Sequence, residues 1–245
     1  MTLKPGDPLA GQLIGAIRAG DIDALQRVLA AHPGLAAAEI QDARGAKTPL
    51  HVVTDWPGFF PNGPAVVKAL VLAGADPNAR TQGGKFLETP LQWAASSDDV
   101  EVAEALIEAR ADIEAGGASI AGGTALDNAI GYGCWRVARL LLSRGARVEK
   151  LWHAAALGLT SRVDKFFQEQ PAPTTRELND AFWQACHGGY RRMAESLLAR
   201  GADLNWRPDY ANQTPLEIAV AGGMDTGRGA LINWLRDKGA EGATK

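Results

Sequence analysis

Apolar residues recur at three- and four-residue spacing in paired stretches along the 245-residue chain. In Val100, Val102, Ala103, Leu106 and Ile107, and again in Trp135, Val137, Ala138, Leu141 and Leu142, that spacing predicts helices that bury one face. Each such run is preceded by a shorter one built on a leucine and small residues. The fullest copies read TPLH (Thr48 to His51), TPLQWAA (Thr89 to Ala95), TALDNAIGYG (Thr124 to Gly133) and TPLEIAVAGG (Thr214 to Gly223). Weaker ones are LIGAIRAGD from Leu13, LWHAAALG from Leu151 and FWQACHGG from Phe182. Alanines such as Ala94, Ala95, Ala129, Ala154, Ala155 and Ala219 are small enough to let neighbouring helices approach. The longer runs end in LVLAGADPN, LIEARADIE, LLLSRGARVE and LLARGADLN. Gly74, Gly145, Gly201 and Gly239 fall just past the helix ends, where a left-handed cap favours a residue without Cβ. Arg110 stands at that place in the third copy. Either it takes the left-handed conformation at roughly 1 kcal/mol or more, or the turn is rebuilt.

A period of about 33 residues with T-P-L-H and G-A-D signatures resembles the ankyrin repeat, and the resemblance runs from about Leu9 to Ala240. It implies an all-α repeat solenoid of stacked antiparallel helix pairs with β-turn fingers. One elongated domain is expected over residues 1–245, with repeats near 9–44, 45–80, 81–115, 116–149, 150–174, 175–205 and 206–240. No single repeat could bury its own face, so the stack must fold as an array. In the family the histidine of TPLH, here His51, is a structural hydrogen-bonding residue.

The array is uneven. The inner-helix apolar anchors at 13, 50, 91, 126, 151, 182 and 216 lie 25 to 41 residues apart. DWPGFFPNGP, Asp55 to Pro64, interrupts the second copy with three prolines and three aromatics and is predicted to be non-helical. One finger is long, Ala79 to Glu88 with a Gly83-Gly84 turn, while almost none remains between Val148 and Leu151. Between the fifth and sixth copies PAPTTRELND replaces the finger, and the capping-box spacing of Thr174 and Glu177 predicts an early helix start.

A net charge of −3 argues against nucleic acid as the main partner. Arg136, Arg139, Arg144 and Arg147 fit a solvated outer face. Two cysteines, Cys134 and Cys186, at unmatched helix positions argue against a structural disulfide and favour a reducing cytoplasm. The start MTLKPGDPLAG has no apolar leader core, and no apolar run reaches about 18 residues. A cytoplasmic monomer with no membrane association is expected. No phosphate-binding glycine loop, G-x-S-x-G or zinc spacing appears, so neither a cofactor nor a metal is expected.

Taking each inner-helix anchor as zero, offsets +2, +5 and +6 share a face, which in ankyrin-like stacks lines the concave groove. Those offsets select Asp55 and Trp56, Trp93, Asn128 and Tyr132, His153, Gln184 and His187. Aromatic anchors among a few polar groups suit a protein hot spot or a small-molecule pocket. Two functions follow. One is a non-catalytic module that binds a protein or peptide along the groove, held by Trp93, Tyr132 and the Trp56 loop. The other is a small-molecule binder or enzyme in which the Asp55 loop is a lid and Asp55, His153 or His187 is acid or base. Trp152 and Trp183 fit packing positions. His153 and His187 fit solvated groove positions equally well. Asp98 and Asp99 read as charges at a helix N-terminus.

Overall fold

The computed structural model describes residues 1–43, 45–223 and 226–242, and the chain folds as two compact units, Met1–Ala146 and Arg147–Lys245. The sequence suggested one array. The division falls at the place where the finger between the fourth and fifth copies has shrunk to a few residues.

In the first unit the helices are α1 (Pro8–Ala19), α2 (Ile22–Ala31), α3 (Pro49–Val53), α4 (Gly63–Leu72), α5 (Pro90–Ser97), α6 (Val100–Glu108), α7 (Ala125–Gly131) and α8 (Trp135–Ser143). The inner helices α1, α3, α5 and α7 stack in that order, as do the outer helices α2, α4, α6 and α8. Leu13, Leu50, Leu91 and Leu126 of the inner row and Leu25, Leu70, Leu106 and Leu141 of the outer row are fully buried between them. A small sheet joins β1 (Thr2–Leu3), β2 (Glu39–Asp42) and β3 (Gly45–Lys47), with β1 parallel and β3 antiparallel to β2. Ala46 of β3 exchanges two 2.8 Å backbone hydrogen bonds with Gln82, so the hairpin and the long finger after α4 pair edge to edge.

The second unit holds α9 (Leu151–Ala156), α10 (Thr160–Gln168), α11 (Thr175–Gly188), α12 (Arg191–Ala199), α13 (Pro215–Ala221) and α14 (Thr226–Asp237). Here α11 packs against both α9 and α13, and Phe182 is fully buried at its centre.

A threonine starts each of α3, α5, α7, α11 and α13 through a capping box, pairing Thr48 with His51, Thr89 with Gln92, Thr124 with Asp127, Thr174 with Glu177 and Thr214 with Glu217. Each pair satisfies two backbone N–H groups that the first helical turn leaves open. Arg110 is left-handed at φ 69°, so the turn keeps its geometry. Asn78 of the preceding turn holds it there, donating to the Arg110 carbonyl at 3.1 Å and accepting from the Asp112 N–H at 2.7 Å.

Two expectations are corrected. Gly63 and Pro64 are not in the interruption but open α4, because proline is tolerated in a first turn, where its N–H has no helical partner. Asp98 does not begin a helix. It ends α5 with φ 57° and accepts the Val137 N–H at 2.9 Å, while Asp99 caps α6 as expected.

Candidate functional site

In the first unit the hairpin, the long finger and α5 enclose a cleft of about 740 Å³. Three of the selected residues, Asp55, Trp56 and Trp93, line it together. At its floor the Lys47 ammonium bonds the Asp55 carboxylate at 3.0 Å and lies 3.5 Å from Asp42. It also stands 5.8 Å from the Trp93 ring, within cation–π reach. Arg18 approaches the same Asp55 oxygen at 3.4 Å. Trp93 packs edge-on against His51 with centroids 5.0 Å apart, whereas Trp56 is 81% exposed. The opposite wall is Phe86 and Lys85 of the finger, stacked on each other at 5.0 Å. Lys47, Phe86 and Glu88 were missed by the offset rule, which samples inner helices only. Their signal was the finger itself, since fingers stand over the same groove.

The loop that carries Trp56 is tied on two sides. Asn62 donates to the Gly20 carbonyl at 2.9 Å, and the Phe59 N–H donates to Asp99 at 2.8 Å. A side chain at Gly20 would run into the Pro61 carbonyl at 2.0 Å, so this close approach requires glycine.

Asn128 was expected to face an open groove and instead is fully buried. Its amide donates to Glu88 at 2.8 Å, to the Gln92 carbonyl at 3.2 Å and to Ser96 at 3.2 Å. Its carbonyl accepts from Ser119 at 3.1 Å and from the Ile120 N–H at 3.0 Å. An amide is drawn inward here because the finger and the 115–124 loop each bring polar groups that need partners. Tyr132 is 52% exposed, its hydroxyl 3.2 Å from Ser119.

The remaining selected residues lie in the second unit. His153 is 2% exposed and Gln184 4%, so neither is on the open surface expected of it, and the helices that carry them, α9 and α11, pack against each other. Along α11, Asp180, Gln184 and His187 fall on one face at spacings of four and three. His187 Nδ1 is 3.4 Å from Gln184, whose amide donates to the Tyr210 hydroxyl at 3.3 Å, and Tyr210 donates in turn to Asp180. Burial raises the Asp180 carboxyl above its ordinary range, against the hydrogen bond from Tyr210 and the Arg176 charge. Trp183 is a packing residue, its indole N–H donating to the Gln213 carbonyl at 2.8 Å.

His51 behaves as the structural residue expected. Nδ1 faces Thr48, and Nε2 is 3.0 Å from the Glu88 carbonyl. Burial, assisted by the Lys47 charge, lowers its pKa to about 4, and burial with the Arg228 charge does the same to His187. Between pH 6.5 and about 4 the unfolded chain therefore binds protons that the folded chain refuses, and stability falls as the pH falls through that window. Gln92 fills the place of His51 in the next repeat, so His51→Gln is expected to fold and to flatten that slope when urea midpoints are compared at neutral pH and at about pH 5. A slope that is unchanged would mean His51 is not among the groups that set it.

Both cysteines are buried and free, and burial raises both thiols, Cys134 to about 11. Among the described residues no three His, Cys, Asp or Glu are grouped to hold a metal ion, and no helix is long and apolar enough to cross a membrane.

Residues 60–150 match the family model of ankyrin repeats in three copies. That stretch of the chain carries ankyrin repeats. The matched ankyrin segment covers α4 to α8 and the long finger. Ankyrin repeats typically bind protein partners. No curated protein matches the chain.

Proposed function

We infer that this protein is a non-catalytic binding module that holds a peptide segment of a partner protein in the cleft of its first unit. What carries this reading is the pairing of a highly exposed tryptophan, Trp56, with a half-buried one, Trp93, in a single cleft. Covering such rings supplies a large apolar contact. The Lys47–Asp55 pair beneath them offers polar partners for a peptide backbone. Acid–base catalysis has less support: a base is most effective with its pKa near the working pH, and His187 is held at about 4. His153 is buried, and Asp55 is engaged by two cations.

Affinity capture from a lysate of the source tests this. Proteins retained by the wild type are expected to be lost with Trp56→Ala and with Trp93→Ala, and kept with Arg139→Ala on the solvated face of α8. The thermal unfolding of Trp56→Ala should match the wild type, since its ring touches mainly solvent. Capture that survives both tryptophan changes would remove the cleft from the reading.

A further inference from the structure

Glu88 lines the cleft of the first unit at the root of the long finger, next to the Thr89 cap of α5. Its backbone is fully engaged. The N–H donates to the Thr81 hydroxyl at 3.1 Å, and the carbonyl accepts the Thr81 N–H at 3.0 Å and lies 3.0 Å from His51 Nε2. One carboxylate oxygen, Oε1, accepts from the Ser119 N–H and from the Asn128 amide, each at 2.8 Å. Both donors are neutral. Among the described residues the other oxygen, Oε2, takes no hydrogen bond and no cation pairs with Glu88. The residue is half-buried, and Oε2 stays within reach of solvent.

The charges of the cleft balance in number and not in place. Its three carboxylates are Asp42, Asp55 and Glu88, and its lysines are Lys47 and Lys85. Lys47 is shared between Asp55 and Asp42, and Arg18 adds a second cation to Asp55. Lys85 lies 5.0 Å from the Phe86 ring centroid. Glu88 is therefore the carboxylate whose charge is met by dipoles alone. A hydrogen bond from a cation to such an oxygen is roughly twice as strong as a neutral one. Phe86 and Trp93 line the same cleft and give apolar contact to the stem of a long side chain. We propose that Glu88 selects a lysine or arginine side chain in the bound peptide, the cation donating to Oε2 while its apolar neighbours cover Trp56 and Trp93. This rests on the reading of the cleft as a peptide site and adds the chemistry of its occupant.

The test selects a phage-displayed library of random nonapeptides on the full chain. The selected sequences are expected to carry lysine or arginine at one fixed position among apolar residues. The consensus peptide, labelled with fluorescein and followed by anisotropy, should lose about tenfold or more in affinity when that residue becomes its neutral counterpart, citrulline or norleucine. Glu88→Gln should cause a similar loss, and the two changes together should cost little more than either alone, because both remove one contact. Glutamine keeps an acceptor for Ser119 and Asn128, and an unchanged unfolding midpoint confirms that the fold is intact. Glu108→Gln, the same change of charge on α6, should leave affinity within about twofold. The proposal is overturned if the selected peptides share no basic position or share an acidic one, or if Glu88→Gln has no more effect than Glu108→Gln. Should Trp56→Ala and Trp93→Ala still weaken those peptides, the cleft remains a peptide site and only the role of Glu88 is lost. If no peptide is selected, or none is weakened by either tryptophan change, both readings fall together.

Discussion

Leu141→Ala is expected to lower the unfolding free energy by about 2 to 5 kcal/mol. The side chain is fully buried in α8, on a stripe shared with Val137 and Ala138. Truncation removes apolar contact and leaves a cavity whose walls are helix backbones and branched side chains that cannot close fully. In a stacked array a loss at one interface also weakens the coupling to the next repeat. Chemical denaturation followed by far-ultraviolet circular dichroism measures the effect. A change under about 1 kcal/mol would mean that α8 shifts to fill the space, contrary to a rigid stack.

Asn128→Ala is expected to cost about 2 to 4 kcal/mol, because each buried group left without a partner costs about 1 to 3 kcal/mol and Asn128 serves five. The loss should be local as well as global. With Glu88 released, amide exchange in the finger from Ala79 to Glu88 should quicken more than in α8. Asn128→Asp should be no milder at neutral pH, since it sets a second carboxylate where the amide lies 2.8 Å from Glu88. If Asn128→Ala costs less than about 0.5 kcal/mol, water replaces the amide and the network does not hold the finger.

The repeat was legible because its signals are local. A threonine with a carboxyl partner three residues on and a glycine past the helix end each specify backbone geometry within one turn, and Thr174, Glu177 and Gly74 take the predicted roles. The candidate site was legible only in part. Offsets on an ideal helix say which way a side chain points, not whether another element lies over it. That is why Trp56 and Tyr132 are open while Asn128, His153 and Gln184 are covered. Lys47 and Phe86 reach the cleft through pairing of Ala46 with Gln82, a contact between fingers that no single repeat encodes. The link from Gln184 through Tyr210 to Asp180 likewise needs a loop from the following repeat.

The interruption between α3 and α4 grips both neighbouring copies, Gly20 on one side and Asp99 on the other. Repeat arrays ordinarily fray from their ends, because a terminal repeat has one neighbour and can detach at the cost of one interface. A strap anchored on the α1–α2 turn adds to that cost, so the first helix pair is expected to melt together with the second and third. Trp56 thus rides on a segment whose backbone freedom was surrendered on folding, and a partner that covers the ring has little ordering entropy left to overcome.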